Sequence, residues 1–230
     1  MTDASRPRIV LASGSPRRRD LLTARYGADA VRVMPPSSAE EPSLDGLTDR
    51  REICEAVVAI ASLKADDVVG RLRPGPEARD DWDVVVAADT AVIVSEDRED
   101  FRNGPYRALG KPPEGDRYEP TVRGWFRDYY INAEHEVVTG ISVRSRAAAG
   151  GLARSDFYET TTVRMHRLKP ETIDRYIGSG EPRGKAGGYA IQGAAAAFIA
   201  AVEGDLSNVI GLPVTMVSRL IAEHTGHTDR

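Results

Sequence analysis

The stretch DVVVAADTAVIV, residues 83–94, decides the fold. Its apolar residues run on without the alternation of a half-buried strand. It therefore reads as a strand covered on both faces, as in a parallel or mixed sheet packed between helices. The flanking sequence supplies those partners. Upstream, Ile9–Leu11 starts a short strand that Gly14 breaks. Ser15 and Pro16 then stand as N-cap and first residue of a helix carrying Leu21 and Leu22, and Gly27 stops it. A second strand is predicted over Ala30–Met34, and a helix over Glu52–Asp67 from the spacing of Ile53, Val57, Ile60 and Ala61. Downstream, His135–Ser145 and Phe157–Leu168 read as strands, and Pro170 opens a helix that ends near Gly178. Phe198–Val202 and Val209–Ile210 read as further strands, and Leu212–Glu223 as a terminal helix with Pro213 near its start. Strands and helices interleave, which predicts one α/β domain over residues 1–230, a mixed sheet flanked by helices. The aromatic patch WFRDYY, residues 125–130, reads as helix core and surface packing.

Composition narrows the function classes. The chain is 41% hydrophobic and 29% charged, with a formal net charge of -4. That suits a globular protein and argues against a nucleic-acid polymer as the main partner, while leaving room for a local basic pocket. Cys54 is the sole cysteine, so no intramolecular disulfide forms, as expected in a reducing compartment. The longest strongly apolar run, Ala194–Val202, is far short of a membrane span, and the N-terminus lacks a signal-peptide core. The expectation is a cytoplasmic protein with no membrane partner. Only four of the 31 basic residues are lysine: Lys64, Lys111, Lys169 and Lys185. Against such an arginine background, a retained lysine marks a candidate position for a compact point charge.

Several charged groups need a reason. Asp89 sits in the middle of the apolar run, where a carboxylate is strongly unfavourable unless paired, hydrogen-bonded or bound to metal. It is a candidate general base or Mg²⁺ ligand, with Thr90 adding a hydroxyl beside it. Arg17, Arg18 and Arg19 occupy a first helical turn, where each cation is disfavoured by roughly 0.3–1 kcal/mol. A phosphate group at the helix start reverses that penalty. Lys111 precedes Pro112 and is held extended, and Lys64 ends the stripe of the Glu52–Asp67 helix; each also suits a solvated surface. The run GKAGGYAIQG, residues 184–193, is not a P-loop: Ser179 stands where its first glycine belongs, and Ala186 replaces the Ser or Thr. It still suits close contact with a nucleotide, and Gln192 has the donor and acceptor needed to read a base edge. The histidines 135, 166, 224 and 227 lack zinc-site spacing, and His224 and His227 read as solvated.

Read together, LASGSPRR (11–18), AADT (87–90), GKP (110–112), HEVVTG (135–140), GEPRGKAGGYAIQG (180–193) and NVIGLP (208–213) resemble the Maf, or septum-formation-inhibitor-like, family of nucleoside triphosphate pyrophosphatases. The motifs lie in the family's order and span nearly the whole chain. The resemblance implies a mixed α/β fold related to inosine triphosphatases, with two lobes around a cleft, and a homodimer. It implies cleavage of a nucleoside triphosphate between the α- and β-phosphates with Mg²⁺ or Mn²⁺. It makes Asp89 the proton acceptor and a metal ligand, and Lys64 and Lys111 active-site lysines. Ser13, Arg17 and Arg18 fall to the phosphates, Ser15 and Lys185 to substrate binding, and Glu41, or Glu40, to the metal side. Arg17, Thr90 and Gln192 resemble the dTTP/UTP branch, the alternative being 7-methyl-GTP or another modified nucleotide. A non-catalytic nucleotide-binding regulator of cell division is the rival in another class. Relative to the family pattern, the segments near 70–82, 95–108 and 113–134 look enlarged.

Overall fold

The computed structural model describes residues 6–37, 42–72, 82–147 and 151–227. The apolar run forms β3 (Val84–Ser95), buried throughout except at Asp89 and Thr90. Seven strands make one sheet in the order β2-β1-β3-β5-β6-β7, with β4 (Tyr106–Leu109) paired to β3 off this path. β1 (Ile9–Leu11) lies parallel to β3 and to β2 (Val31–Val33). The long strands β5 (Glu134–Arg146) and β6 (Leu152–Met165) and the short β7 (Ile199–Glu203) continue it antiparallel. The mixed sheet flanked by helices is therefore the architecture.

Two helical layers cover it. One face of β3 (Val85, Ala87, Ala91, Ile93) packs under α2 (Arg50–Arg71), whose buried residues Ile53, Val57, Ala61, Ala65 and Val68 recur at helical spacing. Asp49 caps α2, its carboxylate accepting the Glu52 N–H at 3.0 Å. On the other face, Val84, Val86 and Ala88 pack against α1 (Pro16–Tyr26) and α6 (Val214–Thr225). Further along the same face, Val92 and Val94 meet α3 (Tyr118–Trp125), the π-helical turn Phe126–Tyr130 that extends it, and α4 (Pro170–Gly178). On both faces the apolar clusters divide at the same place. Asp89 separates one pair and Thr90 the other. The strand thus runs through two halves of the core, and its polar pair marks the crossing.

Several local expectations change. Val209–Ile210 is not strand but the end of a short helix, α5 (Leu206–Ile210). Asp205 caps that helix by accepting the Ser207 N–H at 2.7 Å, and the local cap outweighs the β-branched pair. Ser15 occupies the N-cap position of α1, but its side chain makes no cap bond; instead Ser13 Oγ accepts the Ser15 N–H at 3.2 Å. Pro213 stands at the N-cap of α6. His224 is not solvated: its ring bridges Ser145 Oγ at 2.7 Å and Ser155 Oγ at 2.9 Å. His227 is likewise partly buried, with Nδ1 shielded from solvent. Segment 95–108 contains most of β4, and 113–134 contains α3 and the π turn, whose Tyr118, Val122, Phe126 and Tyr130 are core residues. Residues 73–81 of the remaining segment lie outside the described residues.

Candidate active site

The cleft at the crossing follows from strand pairing. β3 has β1 along one edge at Val84–Val86, and β4 along that same edge only from Val92 onward. Between them that edge has no strand neighbour among the described residues, and Asp89 and Thr90 sit in the gap. A change of neighbour of this kind is where open α/β sheets place ligands. A cavity of about 540 Å³ opens there. The segment after β1, the start of α1, α2, β3, the segment after β4 and the glycine-rich segment all contribute to its lining.

Asp89 faces α2, where Lys64 Nζ donates to its Oδ1 at 2.6 Å. The two side chains are only 14% and 13% exposed, so the pair lies in a medium where charge counts for more than in water. Lys64 belongs to the sheet-facing stripe of α2, one seven-residue step beyond Val57. Gly140, the β5 partner of Asp89, lets α2 come that close: a Cβ there would lie 2.6 Å from the backbone of Val57 and Val58.

Thr90 faces the other layer. Its Oγ1 meets Thr139 Oγ1 at 3.0 Å and accepts from Arg18 Nη2 at 2.9 Å. The Arg18 guanidinium also donates from Nη1 to the Ala88 carbonyl at 2.8 Å and to Ser13 Oγ at 3.2 Å, and from Nε to the Gly211 carbonyl at 2.8 Å. It thus stands in for the missing strand neighbour at Ala88 and ties α1 to the α5–α6 turn. Arg18 builds the cleft wall as well as charging it. Arg17 lines the cleft and has no hydrogen bond or ion pair among the described residues. Arg19 is exposed and pairs with Asp20 at 2.8 Å.

Lys111 follows β4 and lines the cleft, as do Lys185 and Gln192 from the glycine-rich segment. Lys185 Nζ donates to the Glu181 carbonyl. Burial, with a contribution from Arg17, pulls its ammonium below the usual lysine range. Three of the four lysines thus converge here, while Lys169 is the N-cap residue of α4. With Arg17 and Arg18 they give five cations against one carboxylate, Asp89, among the described lining residues. This arrangement can hold a polyanion and place a carboxylate beside it. For a divalent cation Asp89 is the carboxylate donor among the described lining residues, and the described residues contain no group of three His, Cys, Asp or Glu at metal-binding distance. One carboxylate fits Mg²⁺, which keeps water and takes substrate phosphate oxygens for its other positions. Glu40 and Glu41 lie outside the described residues.

The Maf-like protein family matches residues 8–224. The chain belongs to this family. A dTTP/UTP pyrophosphatase of Anaeromyxobacter dehalogenans (strain 2CP-1) is 37% identical, over 94% of this chain and 93% of its own length. Another, from Pelotomaculum thermopropionicum, is 38% identical over 93% and 94%. A solved HAM1 protein from Coxiella burnetii covers 94% of this chain and 98% of its own, at 16% identity and a TM-score of 0.45.

In this Maf-like chain the structure brings Ser13, Ser15, Arg17, Arg18, Lys64, Asp89, Thr90, Lys111, Lys185 and Gln192 to one cleft. Sequence reasoning missed Gly140 and Thr139. The signal for Gly140 was a glycine inside a strand, which marks close approach of another backbone. Thr139 carried none, because its role depends on β3–β5 register.

Proposed function

We propose that the protein hydrolyses nucleoside triphosphates, dTTP and UTP foremost, to the monophosphate and pyrophosphate. The convergence of Lys64, Lys111, Lys185 and Arg17 around Asp89 carries this reading. The names of its relatives support the substrate. The triphosphate lies along the start of α1, where Ser13, Ser15 and Arg17 receive it and the helix N-terminus adds partial positive charge. Lys111 and Lys185 oppose the negative charge that grows on the leaving pyrophosphate. Asp89 takes the proton of the attacking water, and Lys64 keeps its carboxylate aimed. A divalent cation, Mg²⁺ or Mn²⁺, held by Asp89 with Glu41 or Glu40, supplies further charge neutralisation when bound. Gln192 reads the O4 and N3–H edge of the pyrimidine, with Arg17 and Thr90 completing the specificity set. The enzyme works as one cytoplasmic domain, assembled as a homodimer. The buried single cysteine supports a reducing compartment. Among the described residues no helix is long and apolar enough to cross a membrane.

The test is a panel of dTTP, UTP, CTP and 7-methyl-GTP with Mg²⁺ or Mn²⁺, scoring pyrophosphate against orthophosphate. Pyrophosphate from dTTP and UTP is the expected result. Preference for 7-methyl-GTP would overturn the role of Gln192, and binding without turnover would turn the reading to a regulator. Light scattering checks the dimer.

A further inference from the structure

The patch WFRDYY takes no part in the chemistry above, yet it ends on Tyr130, a fully buried side chain whose hydroxyl has a single aim. Tyr130 Oη donates to the Gly187 carbonyl at 2.8 Å. Gly187 sits between Lys185 and Gln192 with φ +66°, and a Cβ there would lie 2.5 Å from both Tyr130 Oη and Val92 Cγ2. Its own N–H donates to the Gly110 carbonyl at 2.9 Å, the peptide that leads into Lys111. One buried hydroxyl therefore grips the residue that joins the two lysine-bearing segments. A second grip stands beside it: His135 Nε2 meets Tyr189 Oη at 2.7 Å, and the Tyr130 and His135 rings lie 4.6 Å apart. Burial drives the His135 ring down to a pKa of about 3, so it stays neutral there.

We infer that Tyr130 is a positioning residue for the reaction, its hydroxyl holding Gly187 so that Lys185 and, through the Gly187–Gly110 bond, Lys111 keep their spacing across the triphosphate. The inference rests on the proposed pyrophosphatase reading. It deepens it by making the helix of segment 113–134 part of the catalytic apparatus. Lysines reach phosphate as point charges on long flexible stems, so their effect depends on where the backbone starts them. The Gly187 and Gly110 carbonyls set that start.

Tyr130→Phe keeps the ring that fills the core and removes only the donor, and thermal denaturation checks that the fold stands. Steady-state kinetics with UTP and Mg²⁺ then compare wild type, Tyr130→Phe, Lys111→Ala and the double variant. The expected loss in kcat/KM for Tyr130→Phe is roughly 10- to 100-fold. The double variant should lose at least about threefold less than the product of the single losses, since both substitutions act on one lysine. Multiplicative losses, or an unchanged Tyr130→Phe enzyme, would overturn the inference. Hydrogen exchange separates its failure from failure of the functional reading. In Tyr130→Phe the Gly187 amide, which bonds the Gly110 carbonyl, and the Gly188 amide, which bonds the Lys185 carbonyl, should lose protection, whether or not any nucleotide turns over. If the Gly187 amide keeps its protection, Tyr130 does not hold the two segments together. A wild type with no turnover of any triphosphate overturns the pyrophosphatase reading itself.

Discussion

Asp89 and Lys64 show how much a single strand position can carry. The carboxylate survives inside β3 because Lys64 meets it at 2.6 Å, and the lysine survives on the buried stripe of α2 for the same reason. Asp89→Asn removes the carboxylate that takes the proton, and is expected to lower kcat by roughly 10²-fold or more, the range for a positioned base. Turnover near wild type in that variant would remove Asp89 as base. Lys185 gives a pH signature. Its ammonium titrates below the usual lysine range, so the cation is lost earlier as pH rises. KM for a triphosphate should then climb on the alkaline side, and Lys185→Arg should move that rise to higher pH. A KM flat through the same range would exclude Lys185 from phosphate binding. These residues were legible in the sequence because a charge in an apolar run and a lysine among arginines both need explaining. The structural part of Arg18 was not: its acceptor Gly211 lies 193 residues away in sequence.

At the scale of elements, the contact of α2 with β5 decides whether the pair can form. Gly140→Ala puts a Cβ against helix backbone, which cannot swing aside as a side-chain tip would. The expected cost is about 1–3 kcal/mol of stability, read as a lower urea midpoint, together with reduced turnover as α2 lifts Lys64 from Asp89. An unchanged midpoint and rate would show that the helix has slack. Strand and helix identities were readable wherever the apolar pattern was long, as in the helical spacing of α2 and the unbroken run of β3. Val209–Ile210 misled because two β-branched residues look like strand, while the deciding group, the Asp205 cap, stands outside them. The Gly187 turn was visible as a glycine-rich segment, but its bond to Gly110 joins parts that no local pattern connects.

For the whole molecule, the division of the core at Asp89 and Thr90 on both faces of β3 turns one strand into the floor of a cleft. The sequence showed the polar interruption, while the change of edge neighbour from β1 to β4 required the topology. The buried aromatic half also sets acid stability. His135 is neutral in the fold down to about pH 3, while the same ring in the unfolded chain takes up a proton near 6.5. Between those values the unfolded state binds more protons, so stability rises with pH and is lost as pH falls. The slope is at most about 1.4 kcal/mol per pH unit from this group. Urea titrations from pH 7 to 4 should therefore show a shallower acid limb, by one proton, in His135→Gln. An identical slope would mean that His135 is protonated in the native protein.

The proposed hydrolysis expels pyrophosphate from a triphosphate held along α1, with Asp89 beside the attacking water. A single turnover of UTP in ¹⁸O-water tests it most directly, with mass analysis of both products. Attack at the α-phosphate should put the label in UMP and leave pyrophosphate unlabelled. Label in pyrophosphate, or release of labelled orthophosphate, would contradict it.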